Sequence, residues 1–367
     1  MEIQIPRNHE LRLEVMENQK IKVMVISGLA EIFGQELLNE KWYNFTDIKC
    51  SIFTFTGAVV KIEGSCDLSY LAESSCFPKI FNYFDSIKDS LGIVIVVGRG
   101  RSTFCTTLAN YFVRVRKKLD FLEVDPLKGN VFPGALSYLQ IDSLVEYNDK
   151  LKLTNPYCLF FGSLSIENTE LYQIQTEKLN EEVESRETGN FKVILCPELS
   201  NDMLHQLIKT FKASGVVCIG NERMFHRLNT PIPKIFIENT GYIAENTVAK
   251  SINRYFNGPS SEYTPSSFSL RSEYTVLRIG EQYAAPESAL PLGASRKIGH
   301  TDVCRCELIQ NAVLAISGAE NEDQVVRSPA LGFVVCVDEK KQRILCTQPR
   351  LPKCKYLVQG SVKYIDF

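Results

Sequence analysis

Short apolar segments in the middle of the chain constrain its fold more than any other feature. Each is nearly continuous in hydrophobic side chains, and helical patterns separate one segment from the next. The segments are residues 92–97, 121–125, 157–161, 191–195 and 216–219. Strands that are hydrophobic on both faces are typical of a parallel sheet covered by helices. The stretch from residue 73 to residue 258 is therefore predicted to be an α/β domain.

Two helices of this stretch are visible in the spacing of their apolar side chains. The first starts near Glu73, and its apolar face consists of Ile80, Phe81, Phe84 and Ile87. The second has an apolar stripe that consists of Leu204, Leu207, Ile208 and Phe211. Ser200 or Asn201 can cap the N-terminus of the second helix, and Gly215 is predicted to end it.

The segments on both sides of this stretch show the alternation that is typical of β-strands. Near the N-terminus, apolar side chains at Leu11, Leu13 and Val15 indicate a small antiparallel β domain. Near the C-terminus, residues 331–337 and 343–346 are predicted to be two strands around a polar turn. The C-terminal part is therefore expected to be rich in β-strands.

Changes in composition mark the domain boundaries. Residues 257–267 are rich in Asn, Gly, Pro and Ser and poor in apolar side chains, which predicts a linker. The pattern also changes from strand to helix near residue 73. Three domains are therefore predicted, and they cover residues 1–72, 73–258 and 259–367.

The composition excludes several classes of function. The 41 Lys and Arg residues balance 43 Asp and Glu residues, so the chain lacks the broad positive field of a protein that coats nucleic acid. Many of the 12 cysteines lie in hydrophobic runs, none forms a C-x-x-C pair, and the four histidines have no ligand spacing, which predicts buried free thiols and no zinc site. No apolar run approaches the roughly 20 residues that cross a bilayer. A soluble intracellular protein is expected.

The turn after the segment 92–97 has the layout of a phosphate loop. The segment leads into Gly98, and Ser102 and Thr103 open the next helix, so backbone N–H groups at the helix N-terminus could hold phosphate oxygens. The full motif, G-x-x-x-x-G-K-[ST], has four residues between its glycines, whereas only Arg99 separates Gly98 from Gly100. Three residues are missing, which is about 10 Å of chain. The lysine position is Arg101, whose planar guanidinium does not replace an ammonium conservatively.

Short sequence blocks along the whole chain form a further pattern. The blocks are residues 10–15, 28–37, 52–57, 60–64, 110–114, 125–126, 133–134, 157–162, 220–225, 254–258, 289–293, 332–335, 349–352 and 365–367. They resemble, in order and over the full length of the chain, those of the Clp-type subunit of the mRNA cleavage and polyadenylation factor, a relative of the polynucleotide 5'-hydroxyl kinases.

The resemblance implies an N-terminal β-sandwich, a central P-loop ATPase-like domain and a C-terminal domain of mixed α and β structure. It also implies nuclear work in pre-mRNA 3'-end processing, with a scaffold subunit of the cleavage factor docked on the central domain. Family members that bind ATP have a set of residues that hold the phosphates and Mg²⁺. The residues of this chain at the corresponding positions are Gly98, Gly100, Arg101, Ser102, Thr103 and Asp125, of which Ser102 and Asp125 would hold Mg²⁺.

Departures from the family pattern argue against catalysis. Besides the short loop, the kinase members carry a Gly-Trp segment where this chain has residues 196–200, and its one tryptophan is Trp42. An aromatic ring that stacks on RNA contributes roughly 1–3 kcal/mol per base. The favoured interpretation is a non-catalytic assembly subunit in which ATP binding is weak or absent and RNA contact is indirect.

Two alternatives stay open from the sequence. One is an ATP-dependent polynucleotide 5'-hydroxyl kinase with Asp125 as a catalytic residue. The other is a globular domain that binds neither nucleotide nor RNA. Asp125 itself has a purely structural alternative, in which it caps the end of a strand.

Overall fold

The computed structural model describes residues 1–147, 152, 154–238, 247–258, 262–280 and 299–364. Two of the blocks that carry the family resemblance, residues 289–293 and 365–367, lie outside the described residues. The middle of the predicted linker, residues 259–261, lies outside them as well.

The N-terminal strands form two antiparallel sheets. The strands are β1 (Glu2–Ile5), β2 (Glu10–Val15), β3 (Ile21–Gly28), β4 (Ala30–Ile32), β5 (Gln35–Leu37), β6 (Trp42–Phe45), β7 (Ile48–Phe53), β8 (Ala58–Gly64) and β9 (Leu68–Ala72). One sheet has the strand order β1-β8-β3-β6 and the other the order β5-β4-β7-β2-β9. Leu11, Leu13 and Val15 are buried in the core, as their alternation predicts. The predicted antiparallel β domain is confirmed.

Strands and helices alternate through the central part of the chain. The elements are α1 (Phe77–Ile87), β10 (Ile93–Gly98), α2 (Arg101–Arg114), β11 (Leu119–Glu123), β12 (Ala135–Ile141), β13 (Thr154–Phe160), α3 (Thr169–Ser185), β14 (Phe191–Leu195), α4 (Asn201–Phe211), β15 (Gly215–Ile219), α5 (Glu222–Arg227), β16 (Lys234–Ile237) and α6 (Val248–Asn257). The sheet has the order β13-β12-β11-β14-β10-β15-β16. Strand β10 pairs in parallel with β14 and β15, and β15 pairs in parallel with β16. The predicted α/β architecture is confirmed.

Helix α4 shows why this sequence folds as it does. The Ser200 side chain caps it by accepting a hydrogen bond from the N–H of Met203, and the predicted apolar stripe is buried. The predicted end at Gly215 is wrong. Lys212 ends the helix in the left-handed conformation, with φ of 52°, and its N–H bonds back to Ile208. Gly215 instead begins β15.

Two other local predictions need correction. Phe81, which was predicted on the buried face of α1, is 38% exposed, although its ring packs edge-to-face on Phe55 and Tyr111. Strands β12 and β16 had no counterpart among the predicted segments. Strand β16 contains only four residues and begins with Lys234, so its apolar pattern is too short to be distinctive.

The C-terminal strands form one further sheet. They are β17 (Ser266–Ser269), β18 (Thr275–Ile279), β19 (Val303–Arg305), β20 (Ala312–Ser317), β21 (Ala330–Asp338), β22 (Arg343–Cys346) and β23 (Tyr356–Lys363), in the order β17-β22-β21-β20-β23-β18-β19. The predicted strand pair around a polar turn is confirmed, because β21 and β22 pair antiparallel with Val335 opposite Leu345. A 3-10 turn, Glu322–Arg327, precedes β21.

The chain divides into two compact units. The first consists of Met1–Leu122, Leu139–Asn155 and Thr188–Glu245, and the second consists of Glu123–Tyr138, Pro156–Glu187 and Asn246–Phe367. In the first unit, the N-terminal sheets, α1, α2 and β10 contribute to one hydrophobic core. The domain boundaries at residues 72/73 and 258/259 stay predictions. Within the described residues, none of the helices has the length and hydrophobicity needed to span a bilayer.

Candidate functional site

The turn between β10 and α2 is as short as the sequence indicates. Strand β10 ends at Gly98 and α2 begins at Arg101, so Arg99 and Gly100 alone connect them. Gly98 and Gly100 have φ of 98° and 97°, a backbone conformation that side chains with a Cβ rarely adopt. A Cβ on Gly98 would lie 2.2 Å from the carbonyl oxygen of Ile219 in β15. Glycine at position 98 therefore allows β10 to approach β15 closely.

The Arg101 side chain folds back on this turn. Its Nη1 donates a hydrogen bond of 3.0 Å to the carbonyl oxygen of Gly98, and the residue is partly buried. The guanidinium thus binds the backbone of its own loop. Arg99, two residues earlier, is exposed to solvent.

Ser102 and Thr103 lie in the first turn of α2 and are partly buried. The hydrogen bond from the N–H of Phe104 to the carbonyl of Gly100, 3.0 Å long, is the first of the helix. As at any helix N-terminus, the N–H groups before Phe104 make no hydrogen bond within the helix. The N-cap residue is Gly100, which has no side chain to accept from them. The structure therefore places Gly98, Gly100, Arg101, Ser102 and Thr103 in one turn and the helix start that follows it.

Asp125 belongs to the second compact unit, whereas Gly98 to Thr103 belong to the first. Its side chain is buried, and Oδ1 accepts a hydrogen bond of 3.0 Å from the N–H of Leu127. The N–H of Asp125 donates to Oε1 of Glu123, whose other carboxylate oxygen accepts from Asn130. This is the geometry of a turn cap after β11, the structural alternative for Asp125.

The segment after β14 has no aromatic side chain in place of the family's tryptophan. The N–H of Cys196 donates to the carbonyl of Val96, and Ser200 caps α4. Trp42 lies far away in sequence, on β6, where it is partly buried and the Nζ of Lys61 is 5.6 Å from its ring centre. Trp42 thus packs within the N-terminal sheet.

The cysteines are free thiols, and most of them are buried. Cys218 lies on β15 beside the turn, in the position paired with Val97. Burial raises the pKa of the Cys218 thiol to about 11, and burial likewise raises the pKa of Cys158 to about 12. Both thiols are therefore protonated at neutral pH and are poor nucleophiles. Among the described residues, no group of three or more His, Cys, Asp and Glu side chains is placed to hold a metal ion.

The C-terminal half of α2 is fixed to the N-terminal strands by contacts that the sequence analysis did not find. Asn110 is fully buried, and its Nδ2 donates to the carbonyl oxygens of Phe33 (2.8 Å) and Val145 (3.0 Å). Its Oδ1 accepts from the N–H of Val145 at 2.8 Å. All the hydrogen bonds of this amide side chain therefore hold two separate segments of backbone against the helix.

The next residue of α2, Tyr111, and a residue one turn after Asn110, Arg114, contact the hairpin that β4 and β5 form. Tyr111 donates its hydroxyl hydrogen to Oε1 of the buried Glu31, and Nη1 of Arg114 donates to Oε2 of Glu31 at 2.6 Å and to the carbonyl of Gly34 at 3.2 Å. Burial, followed by the Glu31 carboxylate, raises the pKa of Tyr111, so the phenol stays neutral and donates. We call Asn110, Tyr111 and Arg114 the α2 anchor.

Fold and loop together define the class of the protein. A sheet in which β10 pairs in parallel with both of its neighbours and leads through a glycine turn into α2 is a P-loop architecture, here combined with an N-terminal pair of antiparallel sheets and a C-terminal sheet. Three family models match successive parts of the chain: the N-terminal beta-sandwich domain of polyadenylation factor at residues 4–90, the P-loop of the mRNA cleavage and polyadenylation factor CLP1 at 97–257, and the pre-mRNA cleavage complex II protein Clp1 at 264–366. The chain belongs to the Clp1 family, and its role lies in mRNA cleavage and polyadenylation.

Individual relatives are similar over their whole length. A "Protein CLP1 homolog" of Arabidopsis thaliana is 28% identical, with 100% of this chain and 94% of the relative covered. A "Polyribonucleotide 5'-hydroxyl-kinase Clp1" of Gallus gallus is 26% identical, with 99% and 96% covered. Among solved structures, the complex of wild-type Clp1p with Pcf11p has a TM-score of 0.80 at 20% identity and covers 100% of this chain. This structural likeness supports the same fold.

Proposed function

We propose that this chain is a non-catalytic assembly subunit of the nuclear cleavage and polyadenylation factor, with a degenerate nucleotide site. Its central P-loop domain serves as the platform on which a scaffold subunit of the Pcf11 type docks. ATP and Mg²⁺ contribute little or nothing to this role.

The contact between Arg101 and Gly98 carries the proposal. A phosphate loop binds because its backbone N–H groups and its lysine point at phosphate oxygens. Here the turn has two residues in place of a wrapping loop, and the side chain at the lysine position donates to a carbonyl oxygen of the loop itself. The arrangement does not fit a nucleotide phosphate chain, and we derive no chemical step through ATP or Mg²⁺.

Two solved structures agree with parts of this proposal. Both match over the full chain and hold Clp1p together with Pcf11p, and one is described as showing the structural basis for ATP loss in a glycine-to-arginine point mutant. The name of the Gallus gallus relative supports the alternative, a polynucleotide 5'-hydroxyl kinase, which the same experiments test.

ATP is expected to bind this chain with a dissociation constant no better than about 100 μM, which is roughly −5 kcal/mol. The missing loop residues remove N–H donors that a complete motif aims at the phosphates. Isothermal titration calorimetry with ATP and Mg²⁺ measures the constant. Arg101→Lys frees the Gly98 carbonyl but leaves the loop short, so it is expected to improve binding less than tenfold.

Arg99→Lys is the matched control, because it makes the same replacement at the exposed neighbouring residue. A low-micromolar constant for the unaltered chain would contradict the proposal. So would transfer of labelled phosphate from ATP to a 5'-hydroxyl RNA oligonucleotide, if that transfer were abolished by Asp125→Asn. That second outcome would establish the kinase alternative.

Charge reversal on the central domain is expected to weaken the binding of a Pcf11-type scaffold fragment tenfold or more for at least one variant. Suitable positions are exposed cations such as Lys209, Arg223 and Arg227, where a substitution to Glu disturbs no buried contact. Biolayer interferometry measures the affinity, and circular dichroism confirms that each variant is folded.

The matched control reverses the charges of Lys22 and Glu63 on the N-terminal sheet, which are also exposed. These variants are expected to bind the fragment as the unaltered chain does. The docking assignment is wrong if the N-terminal reversals release the fragment and the central ones do not.

A further inference from the structure

Strand β9 is an open edge of the five-stranded N-terminal sheet. It is the last strand in the order β5-β4-β7-β2-β9, and it pairs antiparallel with β2, with Tyr70 opposite Arg12 and Leu68 opposite Glu14. No other described strand pairs with it. An open edge offers unpaired N–H and C=O groups to another extended chain.

The backbone phase shows which groups of β9 point outward. The N–H of Thr54 donates to the carbonyl of His9, which directs the backbone of His9 and of every second residue after it in β2 toward β7. Arg12 lies between two such residues, so its N–H and C=O groups point toward β9. Its partner Tyr70 directs its own N–H and C=O groups toward β2. Ser69 and Leu71 consequently direct their N–H and C=O groups to the open side.

The side chains of β9 do not protect this edge. Leu68, Tyr70 and Leu71 are 43%, 40% and 41% exposed, and the strand contains neither Pro nor Lys, the residues that commonly block edge pairing. Large apolar side chains on an open edge favour pairing with a strand that presents apolar side chains of its own.

A carboxylate side chain flanks each end of β9. Asp67 and Glu73 lie one residue beyond its two ends, are exposed, and form no ion pair among the described residues. If two copies of β9 paired antiparallel about Tyr70, Asp67 of one copy would lie opposite Glu73 of the other. Like charges directly opposite each other destabilise a strand pair. The edge is therefore unsuited to a second copy and suited to a strand with cations at these two positions.

We propose that β9 binds an extended segment of a partner protein by strand addition. The segment is apolar in its centre and carries Lys or Arg at two positions six residues apart, opposite Glu73 and Asp67. Hydrogen bonds to Ser69 and Leu71 supply the register, and the two ion pairs select the partner. This surface is separate from the proposed docking of the scaffold subunit on the central domain and does not depend on it.

Two capped, fluorescently labelled heptapeptides test the proposal with the full chain. One is Lys-Thr-Val-Ile-Thr-Val-Lys, and the other has Glu at both ends. Fluorescence anisotropy is expected to show at least tenfold tighter binding of the lysine peptide, and the double variant Asp67→Asn, Glu73→Gln is expected to reduce the difference below threefold. Equal binding of the two peptides, or no binding of either, would overturn the proposal.

The backbone contacts have their own test. Leu71→Pro removes an outward N–H without touching the pairing with β2, so it is expected to weaken peptide binding tenfold or more, whereas Leu71→Ala keeps the N–H and is expected to weaken it less. Hydrogen exchange is expected to slow at Ser69 and Leu71 when the peptide binds. Protection confined to another part of the chain would refute the assignment to β9.

Self-pairing provides an independent check. Glu73→Lys turns the opposed carboxylates of a β9–β9 pair into opposite charges, so sedimentation velocity is expected to show a dimer that the unaltered chain lacks. Adding Asp67→Lys restores like charges and is expected to return the chain to its original state. A dimer of the unaltered chain through β9 would show that the occupant is a second copy and would overturn the proposal.

Discussion

Replacement of Gly98 by alanine is expected to lower the free energy of unfolding of the first unit by about 3–5 kcal/mol. The new Cβ would lie 2.2 Å from the carbonyl oxygen of Ile219, a backbone atom of β15 that cannot move without breaking the sheet. The positive φ of 98° adds strain of its own. Urea unfolding followed by circular dichroism measures the change.

Gly189→Ala separates these two causes. Gly189 also has a positive φ, 64°, but a Cβ there would meet no atom within 4 Å. Only the conformational cost remains, so a loss of about 1 kcal/mol is expected. Equal losses for the two variants would show that the close approach of β10 and β15 is not what requires glycine at position 98.

Asn110→Ala is expected to destabilise the first unit by roughly 3–5 kcal/mol, because each buried group left without a partner costs about 1–3 kcal/mol. The substitution removes the hydrogen bonds to the carbonyls of Phe33 and Val145 and from the N–H of Val145. The same urea measurement applies. We also expect faster hydrogen exchange at Val145.

The control for this variant is Asn82→Ala on α1, in the same unit, where the asparagine is exposed. Its effect is expected to lie within about 0.5 kcal/mol of zero. If Asn110→Ala were as mild as Asn82→Ala, the hydrogen bonds of Asn110 would not contribute to stability.

The sequence predicted those parts of the fold that depend on interactions between residues close together in the chain. The strand β14 was located to the residue, and α4 was predicted with its cap and buried stripe, because period and capping leave clear marks in the sequence. The end of α4 was missed because Lys212 accepts a left-handed conformation that usually belongs to glycine. Nothing in the sequence around Lys212 indicates that choice.

In the candidate site, too, contacts between residues close in sequence could be predicted and contacts between distant residues could not. The glycine turn and Arg101 are contiguous, so their proximity followed from the sequence, but the hydrogen bond from Arg101 to Gly98 depends on a rotamer that sequence does not specify. The α2 anchor was missed because its partners are distant in the chain. One signal was available, since residues 28–37 and 110–114 both carry the family resemblance and prove to contact each other.

The α2 anchor has a consequence for how the chain folds as it is made. Glu31 is separated from Tyr111 by 80 residues and from Arg114 by 83. At a synthesis rate of about 5–20 residues per second, the Glu31 carboxylate leaves the ribosome roughly 4–16 seconds before its partners. During that interval the β4–β5 hairpin lacks the contacts of Glu31 with Tyr111 and Arg114. The N-terminal sheets therefore reach their final stability only when α2 has emerged. The N-terminal sheets are thus completed by the helix that follows the glycine turn.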